Sequence, residues 1–151
     1  MVGVPNSVLG TSIALVNGDF GLVNGDLALA SGTDNFGQAL QVIVETPFGS
    51  DPINVTYGLD VAAIFTVAAS VSSVKDVIRL NLMKSLSADD RIQQIDQILF
   101  DDEDGFAAFA PEFADGDPGR IARVGRLWHA VIAATTVAGG QQAVVVAGVS
   151  P

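Results

Sequence analysis

Residues 130–149 are almost wholly apolar and long enough to cross a bilayer as a helix, yet Gly139-Gly140-Gln141-Gln142 stands in their middle. A spanning helix has no use for two glycines and two amides at its centre. Two β-branched strands, LWHAVIAATTVA and AVVVAGV, joined there by a turn account for the stretch, so the chain is expected to end in a β-hairpin. The other apolar run, residues 61–71, is too short and too dotted with Ser and Thr to span, and the N-terminus lacks the positive start of a secretory signal. The chain therefore reads as soluble, without a membrane partner. Residues 46–58, TPFGSDPINVTYG, add a second constraint. Two prolines and two glycines within so short a stretch exclude the interior of a helix or of a central strand.

A chain of 151 residues, 49% of them apolar, suffices for one compact domain with a real core. Its formal net charge is -10, and every Lys and Arg lies at or after Lys75. Such a balance speaks against a phosphate-tracking nucleic-acid binder, which needs a clustered basic face. It suits a protein that stays soluble until it assembles. There is no cysteine and one histidine, His129, so the usual Cys- and His-based metal sites are not expected, and no cofactor is called for.

Between these limits the chain divides into pieces. In LVNGDFGLVNGDL (residues 15–27) Val-Asn-Gly-Asp occurs twice, seven residues apart, which reads as short strands separated by tight turns, a repeat that stops after two copies. In DNFGQALQVIVET, Phe36, Ala39, Leu40, Ile43 and Val44 share one helical face, with Asp34 or Asn35 placed to cap and Thr46-Pro47 to stop the helix. A second helix is expected from Ser73 to about Leu86. Ser73 and Asp76 have capping-box spacing, Val74, Ile78, Leu82 and Leu86 recur every four residues, and Lys75, Arg79 and Lys84 decorate the polar side. Farther on, Ile92, Ile95 and Leu99 fit a helix slightly better than a strand. Residues 101–117 carry seven acids and no base, interleaved with Phe106, Phe109 and Phe113. Arg120, Arg123 and Arg126 then recur every third residue. They either bind a phosphate or acidic partner, or fold back on the acidic segment before them.

Catalytic signals are weak. The P-loop, dinucleotide, zincin and nucleophile-elbow motifs are all missing. The run Phe100-Asp-Asp-Glu-Asp-Gly105 fits a calcium loop only with Phe100 in a ligand position, so it reads as a solvated acidic loop. A glycosidase-like pair is available among Glu45, Asp51, Asp60, Asp89 and Asp90. However, Asp89 and Asp90 sit beside Arg91, and a guanidinium lowers the pKa that a general acid needs raised. His129 beside Trp128 reads as a packed or strand-exposed residue rather than a base, and the sequon Asn54-Val55-Thr56 as chance.

The ordered set of hairpin, FGQALQVIVET helix, PFGSDPINVTYG corner and a helix ending in Ser-Ala-Asp-Asp-Arg resembles the small baseplate wedge protein of contractile phage tails. This family is also called the sheath initiator, has relatives in type VI secretion and extracellular contractile injection systems, and is sometimes labelled lysozyme-like. The likeness covers roughly residues 18–100. Gln38, Thr46, Gly49, Tyr57 and Gly58 match the family's helix, glycine loop and Tyr-Gly, and Asp89-Asp90-Arg91 stands where the family carries Glu-Pro-Arg.

The resemblance implies an α+β fold in a single domain, residues 1–151. Two main helices would pack on a small mixed sheet, with a C-terminal hairpin, residues 91–100 as a strand, and 101–127 as an acidic insertion or elaborated loop. It implies a non-enzymatic structural role in the baseplate of a virion tail or injection particle, assembled in the host cytoplasm. Partners would be the sheath protein, baseplate wedge proteins and a tube initiator, with several copies in a symmetric ring. Arg91, oriented by Asp89 and Asp90, would face the wedge. Val144, Val145 and Val146 would offer the sheath an open strand edge. Thr46, Gly49, Pro52, Tyr57 and Gly58 would form a rigid corner between helix and sheet. A tube or sheath-type tail protein and a peptidoglycan-cleaving enzyme are the rival readings.

Overall fold

The structure, a computed structural model, describes residues 6–60, 70–111 and 128–149. Residues 61–69 and 112–127, the latter with Arg120, Arg123 and Arg126, lie outside the described residues.

After a 3-10 turn (Asn6–Leu9) come six very short strands: β1 (Thr11–Ile13), β2 (Leu15–Val16), β3 (Asp19–Phe20), β4 (Leu22–Val23), β5 (Asp26–Leu27) and β6 (Leu29–Ser31). They pair antiparallel as three ladders, β1 with β6, β2 with β3, and β4 with β5. Asn17-Gly18 and Asn24-Gly25 make the two hairpin turns, all four residues at positive φ (54°, 81°, 53° and 88°), as the mirror-image turns of two-residue loops demand. The ladders meet at a closed ring of backbone hydrogen bonds. Ala14 N–H donates to Ala28 O, Ala28 N–H to Gly21 O, and Gly21 N–H to Ala14 O, each at 2.8 Å.

Ring residues are seven positions apart, so the repeat does not stop after two copies. IALVNGD and FGLVNGD are followed by a third, altered copy, LALASGT, whose Gly32 again has positive φ (62°) and turns the chain into the first helix. Only small residues fit the ring. A Cβ on Gly21 would lie 3.1 Å from Val16 Cγ2 and 3.3 Å from Ala28 Cβ.

Helix α1 (Thr33–Glu45) buries Phe36, Leu40, Ile43 and Val44, the apolar face its periodicity predicts. Its expected cap is absent. No side chain caps the first turn, and Asn35 points inward instead, its Nδ2 donating to Leu9 O (2.8 Å) and its Oδ1 accepting from Ser12 Oγ (2.5 Å). Helix α2 (Val71–Leu86) is capped by Ser70, whose Oγ accepts from Ser73 N, so the cap lies three residues earlier than the expected Ser73. Ile78, Leu82 and Leu86 are fully buried. Lys75, expected on the polar side, is also buried: it pairs with Asp102 and sits over the Phe100 ring.

Strand β7 (Ile92–Phe100) follows, a strand as the family likeness implies and not the helix its spacing favours. Two register shifts, between Ile92 and Gln94 and between Ile95 and Gln97, explain the misleading period. Each bulge inserts a residue, so Ile92, Ile95, Ile98 and Phe100 all reach the same core despite their spacing. A one-turn helix, α3 (Phe106–Phe109), leads on to β8 (Trp128–Thr136) and β9 (Gln141–Val149), the expected C-terminal hairpin.

The sheet order is β7-β8-β9, and both pairings are antiparallel where a mixed sheet was expected. The fold is thus mixed α and β with small antiparallel sheets. Residues 130–134 of β8 are fully buried because both faces of the sheet are covered, which explains their unbroken apolar run. On one face α1 and α2 pack against Ile98, Phe100, Ala130 and Ile132. On the other, Phe106 and Ala110 pack against Val131.

Candidate functional site

Strand β9 pairs with β8 on one side. Among the described residues no strand pairs with its other edge. Thr136 N–H donates to Gly140 O (3.3 Å), and the register from Thr135↔Gln141 to Ala130↔Val146 runs on from there without a shift. Antiparallel pairs alternate between hydrogen-bonded and non-hydrogen-bonded. Gln142, Val144 and Val146 therefore spend their backbone groups on β8, while Ala143 and Val145 direct N–H and C=O away from it. Of the three predicted edge residues, only Val145 directs its backbone groups away from β8, as does Ala143, which the prediction did not include. Counting the alternation back from the Gly-Gly turn would have found it. Side chains alternate across the sheet faces: Val144 packs into the core near Gly37 of α1, and Val145 against the opposite cluster around Phe106 and Val131.

A cleft of about 920 Å³ runs beside residues 143–145, walled by α1 and by the N-terminal ladders through Leu15, Leu29 and the Asn17-Gly18 turn. Gln38 fixes that wall. Its Oε1 accepts from Leu15 N (2.7 Å), and its Nε2 donates to Ile13 O (2.8 Å) and Ser12 Oγ (3.1 Å), so the side-chain amide does for this strand junction what a neighbouring strand would. Gly37 sets the distance between α1 and β9: a Cβ there would meet Val144 at 3.7 Å, and anything larger would push the two apart.

The stretch 46–58 closes on itself. Leu59 N–H donates to Thr46 O (2.8 Å) and Phe48 N–H to Leu59 O (2.9 Å), a parallel bridge at its neck. Asp51 Oδ1 accepts from Ile53 N (2.8 Å) and Asn54 N (3.2 Å), which sets the turn through Pro52. Gly49 and Gly58 have φ of 76° and 103°. Gly58 is the tightest point, because a Cβ there would lie 2.3 Å from Thr46 O. Ser85 of α2 donates to Gly58 O (2.7 Å) and ties the corner to the second helix.

Asp89 and Arg91 lie beside Tyr57, lining a cavity of about 400 Å³ together with Ser85 and Asp90. Asp89 Oδ1 accepts from Arg91 N (2.9 Å) and Nε (2.8 Å), and Oδ2 from a terminal guanidinium nitrogen (2.5 Å). Arg91 also donates to Leu9 O (3.3 Å) and lies over the Phe36 ring. Burial pushes the Asp89 carboxyl up, but the Arg91 hydrogen bonds outweigh it and hold the group below its ordinary value. Burial, then the Asp89 charge, raises the Tyr57 hydroxyl. Every described contact of Arg91 is internal; Asp90 is exposed on the rim.

Among the described residues the start of the acidic stretch is folded onto basic groups of α2; the expected Arg120, Arg123 and Arg126 lie outside the described residues. Asp102 pairs with Lys75, and Glu103 with Arg79, while Glu103 also accepts from Phe100 N (3.0 Å). His129 in β8 has Nδ1 3.1 Å from Asp101 Oδ2, to which its backbone N–H also donates (3.0 Å). Among the described residues no group of three or more acids or histidines is placed to hold a metal ion, and no helix is long and apolar enough to cross a membrane. No family model, curated protein or solved structure matches this chain.

Proposed function

We propose that this protein is a structural template in the baseplate of a contractile tail or injection particle, and that it starts the first ring of sheath by accepting a strand along β9. The observation that supports this reading most is the pairing of an open edge at Ala143 and Val145 with a preformed cleft beside it. An arriving extended segment completes the ladder through its backbone, and the cleft takes its alternate side chains. A template must hold its shape, and the Gly58 neck with the Gln38 clamp supplies that stiffness to α1. Arg91 acts through the fold by holding Asp89 and the 3-10 turn, and Asp90 is the group left to face a wedge protein. Several copies stand in a ring around a tube initiator, and no chemistry is involved.

Ala143→Pro tests the reading. Proline removes the outward N–H and crowds that edge, while the pairing with β8 needs neither. The variant is expected to fold and to lose nucleation of sheath subunits, with Ala143→Thr, which keeps the N–H, nucleating normally. Undiminished nucleation by Ala143→Pro would sink the reading.

A further inference from the structure

The sheet has a second edge, along β7, and side chains cover part of it. Gln142, Val144 and Val146 engage Ala134, Ile132 and Ala130 of β8, so Thr135, Ala133 and Val131 face β7 and bond to Gln94, Gln97 and Leu99. Ile95, Ile98 and Phe100 therefore direct N–H and C=O away from β8. At two of these three residues, outward groups are taken. Arg79 Nε of α2 donates to Ile98 O (3.2 Å). Phe100 N–H donates to Glu103 Oε2 (3.0 Å), and Glu103 N–H donates to Phe100 O (2.9 Å). Arg79 and Glu103 are themselves paired, and the Arg79 guanidinium lies over the Phe100 ring and donates to Asp76 Oδ1 (3.1 Å).

The remainder of β7 is irregular. Both register shifts lie before Gln97, and Asp96 pins the second. Its Oδ2 accepts from Thr135 Oγ1 (2.9 Å) and Gln141 Nε2 (3.0 Å), and its Oδ1 from Gln94 Nε2 (2.9 Å). Bulges and charged side chains are two devices that keep a sheet edge from adding a strand. Strand β9 carries neither over residues 141–146, where the register is unshifted and no residue is charged. The strand that an unguarded β7 would meet most readily is thus β9 of a second copy. Such a contact does not close, because each copy leaves an edge for the next, and it builds a filament. We propose that Arg79 and Glu103 guard the β7 edge against β9 of another copy, so that β9 can stay accessible to a partner without the chain polymerising. The inference rests on the β9 edge proposed above but on no sheath subunit, so nucleation and self-association can fail separately.

The test is sedimentation velocity over a range of protein concentrations. The wild-type chain is expected to stay monomeric. Arg79→Met combined with Glu103→Ala keeps an apolar stem over Phe100 and removes both guards. This double variant is expected to raise the weight-average mass at least about twofold, without a plateau as concentration rises. Adding Ala143→Pro should return it to monomer. Gly58→Ala, strained at the corner and not at the sheet, should stay monomeric, which separates an opened edge from a weakened fold. In the milder Glu103→Ala, amide exchange at Phe100 should quicken at least about tenfold, while Leu99 and Asp101, bonded to β8, keep their protection. That measurement decides the matter even where the double variant does not fold. A folded double variant that remains monomeric, association that Ala143→Pro leaves intact or Gly58→Ala reproduces, or unchanged exchange at Phe100 would overturn the proposal.

Discussion

The corner at residues 46–58 makes its sharpest demand at Gly58, and Gly58→Ala measures it. Two penalties combine there. Alanine at a φ of 103° is strained by about 1–2 kcal/mol. Its Cβ would stand 2.3 Å from Thr46 O, a distance no real contact shows, and the neighbour is backbone that cannot swing aside. The neck must open, and the bonds Leu59 N–H to Thr46 O and Phe48 N–H to Leu59 O are strained or lost, at about 1 kcal/mol each. A total of about 3–4 kcal/mol follows, or roughly 10 °C in melting temperature for a chain of this length. Gly49→Ala is the control: its φ of 76° carries the same kind of strain, but the nearest described atom, Val55 O, is 3.8 Å from the added Cβ. It should lose only about 1–2 kcal/mol. Urea unfolding followed by circular dichroism gives both numbers. Equal losses for the two variants would refute the closed neck.

Two further outcomes follow from the ion pairs. The Asp89 carboxyl is held below its ordinary value, so the stability it contributes is present above about pH 4 and disappears as pH falls through its folded-state value; Asp89→Asn should flatten that acid limb of the stability profile, and an unchanged limb would contradict the Arg91 pairing. Glu103→Gln removes the charge facing Arg79 while leaving an acceptor for Phe100 N, and should lower stability by about 1 kcal/mol at low salt and by less at high salt, measured by denaturant titration.

How much of this was legible in the sequence depends on how far apart the interacting residues lie. The apolar face of α1 and the C-terminal hairpin could be read directly, because each is set by a local period or by one turn. Strand β7 was misread from spacing because two bulges break its two-residue alternation. The third heptapeptide was missed because Ser31-Gly32-Thr33 replaces Asn-Gly-Asp; the small residues at 14, 21 and 28 carry the period where the turn letters fail. Lys75 burial, the inward turn of Asn35 and the Arg91 contact with Leu9 depend on partners 27, 26 and 82 positions away, which no local pattern announces. Composition pointed to β9, which ends the sheet order among the described residues. Only the pairing register says which of its amides point away from β8.

Amide hydrogen exchange at β9 tests the strand-accepting edge most directly. In the isolated protein Ala143 and Val145 should exchange fast while Gln142 and Val144 are protected, and adding sheath subunits should slow Ala143 and Val145 alone. Slow exchange at Ala143 and Val145 before any partner is added, or rates that sheath subunits leave unchanged, would contradict the account.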